Sequence, residues 1–85
     1  MTPYVAVHRW SHRGFAYGSE GGCGGAMFLW HRTPAGWRTL LAYQETPSCD
    51  DSATVRRAMT VLGLECWEPD GSGSRQLGSW PESGR

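Results

Sequence analysis

Ala26-Met27-Phe28-Leu29-Trp30-His31-Arg32, then Thr33-Pro34-Ala35-Gly36, then Trp37-Arg38-Thr39-Leu40-Leu41-Ala42-Tyr43-Gln44-Glu45: this stretch decides the fold. Two apolar runs rich in strand-forming residues bracket a four-residue loop, which reads as a β-hairpin. Pro34 presets a turn φ, and Gly36 supplies the positive φ that such loops often need. With a strict period of two, Met27, Leu29 and His31 share one face and Phe28, Trp30 and Arg32 the other. Trp37, Thr39, Leu41 and Tyr43 alternate likewise with Arg38, Leu40, Ala42 and Gln44. Neither face is cleanly polar. A ribbon apolar on both sides must be covered by a further sheet, a helix or a partner.

Upstream, Tyr4 to Trp10 are strand formers. Tyr4, Ala6, His8 and Trp10 fall on one face and Val5, Val7 and Arg9 on the other. Ser11-His12-Arg13-Gly14 reads as a turn and Phe15-Ala16-Tyr17 as a short second strand. Gly18-Ser19-Glu20-Gly21-Gly22-Cys23-Gly24-Gly25 is too rich in glycine to hold regular structure, which predicts a flexible connection. It lacks the Gly-Lys-Ser/Thr ending of a phosphate-cradling loop.

Downstream, Thr46-Pro47-Ser48 breaks the strand. Asp50, Asp51 and Ser52 carry the oxygens that satisfy the first N–H groups of a helix. Val55, Ala58, Met59 and Leu62 recur at i, i+3, i+4, i+7, an apolar stripe that leaves Arg56 and Arg57 outside. A helix is therefore predicted near residues 51–62, with Gly63 at its C-terminal cap and Leu64-Glu65-Cys66-Trp67 extended. From Glu68 to Arg85 few residues can pack, which predicts a flexible tail with Trp80 as its one anchor. The fold class expected is α+β: a small antiparallel β-sheet or partial barrel with one C-terminal helix packed on it. Residues 1–67 form the single domain and 68–85 the tail.

Composition bounds what such a domain can do. The chain has 85 residues, formal net charge zero, 39% hydrophobic and 19% charged residues, which fits neither a disordered polyampholyte nor a membrane span. Zero net charge argues against bulk electrostatic attraction to nucleic acid or anionic lipid. Every basic residue is Arg, and Lys, Ile and Asn are absent, as codons of a GC-rich genome favour. Five Trp in so short a chain are large anchors for a core or a contact surface. Met1 to Trp10 contains no charged segment followed by a long apolar stretch. The expected location is extracytoplasmic if a leader precedes this chain, and cytoplasmic otherwise.

Cys23, Cys49 and Cys66 allow one disulfide and one odd thiol, in three pairings. Cys49 and Cys66 bracket the helix and make the natural pair. Eleven helical residues carry the chain about 16 Å away, whereas Gly63 to Cys66 returns only about 13 Å. The bridge thus requires a short helix or one lying back across its own start. Such a loop is worth about 3 kcal/mol in the chain-entropy model. The alternative is a pair of reduced, buried thiols. Cys23, between glycines, would need His8, His12 or His31 as a general base to act as a nucleophile, and no spacing enforces that. His8 and His12 would ligate zinc together only on a helix. No catalytic residue, metal or cofactor is therefore assigned.

Two resemblances add to this reading. Phe15-Ala16-Tyr17-Gly18, Gly25 to Arg32, Gly36-Trp37-Arg38-Thr39-Leu40, and Cys49 through Val55-Arg56-Arg57 to Leu62-Gly63-Leu64-Glu65-Cys66 follow a recurrent order. The chain resembles small extracytoplasmic actinobacterial domains of unknown function, in which an aromatic-Ala strand and a Gly-Trp hairpin precede Cys, a short helix and Leu-x-Cys. The resemblance implies that the two late cysteines pair. Arg13-Gly14-Phe15-Ala16-Tyr17, with Met27 to His31 and Gly36 to Leu40, is similar to the aromatic strands of cold-shock domains within residues 7–44. That likeness implies base stacking by Trp10, Phe15, Tyr17, Phe28 and Trp30.

The expected function is a non-enzymatic binding or interaction module. Its partner is another protein, and its contact surface is the hairpin bearing Trp30 and Trp37. The alternative is a single-stranded nucleic-acid-binding, cold-shock-like domain. The candidate binding residues are Trp10, Phe15, Tyr17, Phe28, Trp30 and Trp37.

Overall fold

A computed structural model describes residues 4–21 and 25–81. Strands β1 (Tyr4–Ser11), β2 (Phe15–Gly21), β3 (Ala26–Thr33) and β4 (Gly36–Tyr43) form one antiparallel sheet in the order β1-β2-β3-β4. Helix α1 (Ala53–Leu62) packs on one face of it, and β5 (Glu65–Trp67) pairs with β6 (Ser74–Gln76) in a second small sheet. The class is α+β with the helix on the sheet, as the sequence predicts.

The central hairpin closes more tightly than the sequence suggests. Thr33 pairs with Gly36, leaving only Pro34 and Ala35 in the loop. The Thr33 hydroxyl donates to the Gly36 carbonyl at 2.8 Å and accepts from the Ala35 N–H at 3.2 Å, while Gly36 takes a φ of 111°.

Strand β2 runs through the glycine-rich stretch to Gly21, where a flexible connection was expected. Backbone and rings of the neighbouring strands fill the space that side chains would occupy. A Cβ on Gly18 would sit 2.0 Å from the Ala6 carbonyl oxygen and 2.8 Å from the Trp30 ring, and one on Gly21 would lie 1.6 Å from a Tyr4 ring carbon. Glycine in a strand marks such a close approach. Cys23 lies outside the described residues.

Both edge strands carry a bulge, and each bulge breaks the simple alternation. In β1 the register shifts between Val7 and Arg9, so Trp10 joins Val5 and Val7 while Arg9 turns to the helix side. In β4 the pairing passes from Leu29–Leu41 to Trp30–Thr39, so Leu40 is the extra residue. Trp37 and Thr39 are thereby separated from Leu41 and Tyr43. The predicted grouping of Trp10 with Ala6, and of Trp37 with Leu41, is corrected on this ground. One inserted residue reverses the parity of all that follows it.

The helix follows its sequence signals but begins two residues later than the predicted start near 51, with Asp50 and Asp51 outside its first turn. Ser52 caps its start by accepting from the Val55 N–H at 3.3 Å. Gly63 ends it in the left-handed conformation, and the Leu64 N–H reaches back to the Met59 carbonyl at 2.9 Å. Val55, Ala58, Met59 and Leu62 are buried against Phe15 and Leu29, joined by Val61. Arg56 and Arg57 are exposed. Arg9 reaches over from β1 and donates to the Leu62 and Gly63 carbonyls, both at 2.9 Å, where the helix dipole favours a cation.

Cys49 and Cys66 form a disulfide with their Cα atoms 4.9 Å apart. The helix spans only 10 residues, and Asp50 to Ser52 share the return with Gly63 to Glu65. Backbone bonds from Cys49 N–H to the Trp67 carbonyl and from Trp67 N–H to the Pro47 carbonyl, both 2.7 Å, hold the two segments side by side.

The expected tail returns to the domain through Pro81. Pro69-Asp70-Gly71 makes a turn in which the Asp70 carboxylate accepts from the Ser72 N–H at 2.9 Å and Gly71 takes a φ of 83°. Arg75 pairs with Glu68, and the Leu77 N–H donates to the Leu64 carbonyl at 2.9 Å. Trp80 then packs on the core, and its indole N–H donates to the Trp10 carbonyl at 2.9 Å. Gly78 passes so close to the helix that a Cβ there would lie 2.0 Å from the Thr60 carbonyl oxygen. Among the described residues, no helix is long and apolar enough to cross a membrane.

Candidate interaction face

The helix covers the sheet face that carries Phe15 and Leu29. The opposite face has no element of the described residues over it, and its composition is not that of an ordinary solvated sheet. Two rows cross it. One runs Trp10, Ala16, Trp30, Thr39 and the next Val7, Gly18, Phe28, Ala42. On β2, Ala16 leaves a low floor between Trp10 and Trp30 in the first row, whereas in the second the Trp30 ring closes over Gly18. The result is an open trough of about 460 Å³ whose walls include Val5, Val7, Trp10, Trp30, Arg32 and Trp37.

Val5 is 61% exposed, Val7 and Trp10 are each 55% exposed and Trp37 is 53% exposed, all on this one face. Scattered apolar residues need no explanation, but a contiguous set rimmed by polar groups marks an interaction surface. The set is also held in place. Phe28 and Trp30 lie with ring centroids 5.8 Å apart and planes only 6° from parallel. Trp10 meets the Trp80 ring edge-on at 6.1 Å, and the bond from Trp80 fixes its backbone. Charge is confined to the ends of the face. Glu20 lies in the row with Val5 and Ala26, and Arg32 lies opposite Trp37 at the other end, near His12 of the β1–β2 turn.

Of the residues the sequence singles out, Trp10, Phe28, Trp30 and Trp37 converge here. Phe15 and Tyr17 do not. Phe15 is 2% exposed beneath the helix, its ring stacked on His31 at 4.8 Å, and Tyr17 faces the same side against His8. The stacking set implied by the cold-shock likeness is therefore divided by the sheet, and the buried Phe15 ring cannot receive a base. Val5 and Val7 belong to the face but carry no signal in a strict alternation, because the bulge that unites them with Trp10 is silent in the sequence.

The helix side offers less chemistry. His8 Nε2 lies 3.0 Å from the Ser19 hydroxyl, His12 is exposed in its turn, and His31 is stacked on Phe15. No group of three or more His, Cys, Asp or Glu among the described residues is placed to hold a metal. A polar hollow of about 390 Å³ lies where β4 ends near the helix C-terminus, bordered by Arg9, Tyr17 and Tyr43. Burial, reinforced by the neighbouring Tyr17 hydroxyl, raises the Tyr43 pKa well above its ordinary value. Arg9 at this rim is already committed to two helix carbonyls.

No family model, no curated protein and no solved structure matches the chain.

Proposed function

We propose that the protein is a non-enzymatic binding module whose contact surface is the open sheet face. One observation carries the reading: the two bulges turn Trp10 and Trp37 onto the face that already holds Val5, Val7, Phe28 and Trp30. Trp and Arg dominate the residues that contribute most at interfaces. Rings anchored on strands also lose little freedom on binding, so more of the contact energy becomes affinity. A protein partner is favoured over nucleic acid. The chain has no net charge, Arg32 is the one arginine among the described residues of this face, and Arg9 is engaged elsewhere. The Cys49–Cys66 disulfide fits an oxidising, extracytoplasmic compartment.

Site-specific photo-crosslinking in the native host tests the proposal. A photoreactive side chain at Trp37 should capture a partner, and the same group at Arg57 on the exposed side of the helix should not. Equal capture at both positions, or none at Trp37, would remove the open face as the contact surface. Single-stranded oligonucleotide titrations at low salt should be flat. A measured affinity that falls steeply with salt would replace the protein partner with nucleic acid.

A further inference from the structure

The open face complements itself, and we infer that its partner is a second copy of this chain, docked face to face with its strands antiparallel. The inference rests on the binding reading above and names its occupant.

The charges give the first argument. Glu20 stands at one end of the face and Arg32 at the other, on adjacent strands, and the rows between them are uncharged. Neither has a charged partner among the described residues. A two-fold axis lying across the strands, midway between the Gly18 and Ala16 rows, reverses one copy end for end. Glu20 then lies one strand spacing, about 4.8 Å sideways, from the partner's Arg32. Both side chains are long enough to close that offset, and the symmetry makes the contact twice. An axis running along the strands would set Glu20 at the wrong end.

The same operation fits the apolar rows. It exchanges the Val7–Gly18–Phe28 row with the Trp10–Ala16–Trp30 row, so Phe28 meets the partner's Trp30 and Val7 meets the partner's Trp10. Aligned sheets pack this way, about 10 Å apart with inner side chains interdigitating. The smaller Val7 row thus lies opposite a row with two tryptophans, instead of tryptophans meeting tryptophans.

The area bounds the contact. Four strands by about seven residues give a planar footprint of about 19 by 24 Å, or about 450 Å². That planar footprint compares with the roughly 800 Å² of accessible surface that each partner of a standard interface buries. A footprint this small places the dimer among weak, reversible associations.

Sedimentation velocity of the oxidised full chain across about 1 to 500 µM decides the matter. The expected result is concentration-dependent exchange between monomer and dimer. Val7→Glu places a charge on an exposed site of the face and should hold the chain monomeric with an unchanged circular dichroism spectrum. E20R or R32E alone should weaken the dimer about fivefold or more through like-charge contact, and the double variant E20R/R32E should restore it. A wild-type chain monomeric throughout, a dimer indifferent to Val7→Glu, or a double reversal no better than the singles would each overturn the inference. If the chain is monomeric yet Trp37 still captures a different protein, the binding reading stands and only this occupant is lost.

Discussion

Arg9 shows how much one side chain can be asked to do once a bulge redirects it. A strict alternation places it with Val5 and Val7, on a surface where it would be solvated. Turned to the helix side, its guanidinium bonds two carbonyls that the end of α1 leaves without helical partners and lies 5.6 Å from the centre of the Trp80 ring. Arg9→Met keeps much of the aliphatic packing and removes both bonds, so the loss should be about 2 kcal/mol in urea unfolding. Tyr43 makes a second prediction at this scale. Its folded pKa is raised above the ordinary 10.0, chiefly by burial, so the native state keeps its proton where the unfolded chain gives it up. Stability is then independent of this group below the unfolded pKa and falls as pH climbs past about 10. The urea midpoint should decline across that window, and Tyr43→Phe should flatten the decline. An unchanged slope in the variant would assign the alkaline loss to another group.

The elements differ in how openly the sequence declares them, and the difference is physical. Helix α1 was legible to within two residues of its start because its signals are local: Gly63 and one of three candidate residues, Ser52, cap it, and Val55, Ala58, Met59 and Leu62 repeat at its period. The hairpin was legible for the same reason, although its loop is two residues and not four, because Thr33 and Gly36 pair. The bulges were not, since an extra residue in β1 or β4 is defined only against the strand beside it. Gly18 to Gly21 misled because a glycine's fitness for a strand depends on what crowds it from other strands, here the Ala6 carbonyl and the Tyr4 and Trp30 rings. Pro69-Asp70-Gly71 was a readable turn signal that the polar composition around it obscured. Of the candidate site, the tryptophans could be seen, but not that Trp10 and Trp37 share a face. The disulfide belongs to this scale because it ties the approach to α1 to the strand that leaves it. Cys49→Ser and Cys66→Ser should each cost about 3 kcal/mol, and the double variant no more than either, because all three delete one bond. Denaturation of the three proteins beside the oxidised wild type checks this, and additive losses would mean that each sulfur packs independently.

At the scale of the molecule, the sheet is a partition. On one side lies the core, enclosed by α1 and sealed by the disulfide and by the strap that ends at Trp80. On the other lies an apolar face of comparable width that nothing in the described chain covers. A domain of 85 residues has little stability to spare, so both sides should register in its melting temperature. They should register independently, because the disulfide and the open face share no side chain and stand on opposite sides of the sheet. Reduction acts on the enclosed side. Losing about 3 kcal/mol should lower the melting point of a chain this size by roughly 12–24 °C at any protein concentration. Association acts on the open side and binds only the folded state, so the melting point of the oxidised chain should climb as concentration rises from about 5 to about 200 µM. Val7→Glu should abolish the climb while leaving the drop on reduction unchanged. Calorimetry of the two proteins, oxidised and reduced, at both concentrations measures all of this. If reduction also erased the concentration dependence while the chain stayed folded, the two sides would be coupled through the strap from Trp80 to the Trp10 backbone, and the sheet would not be the partition its geometry describes.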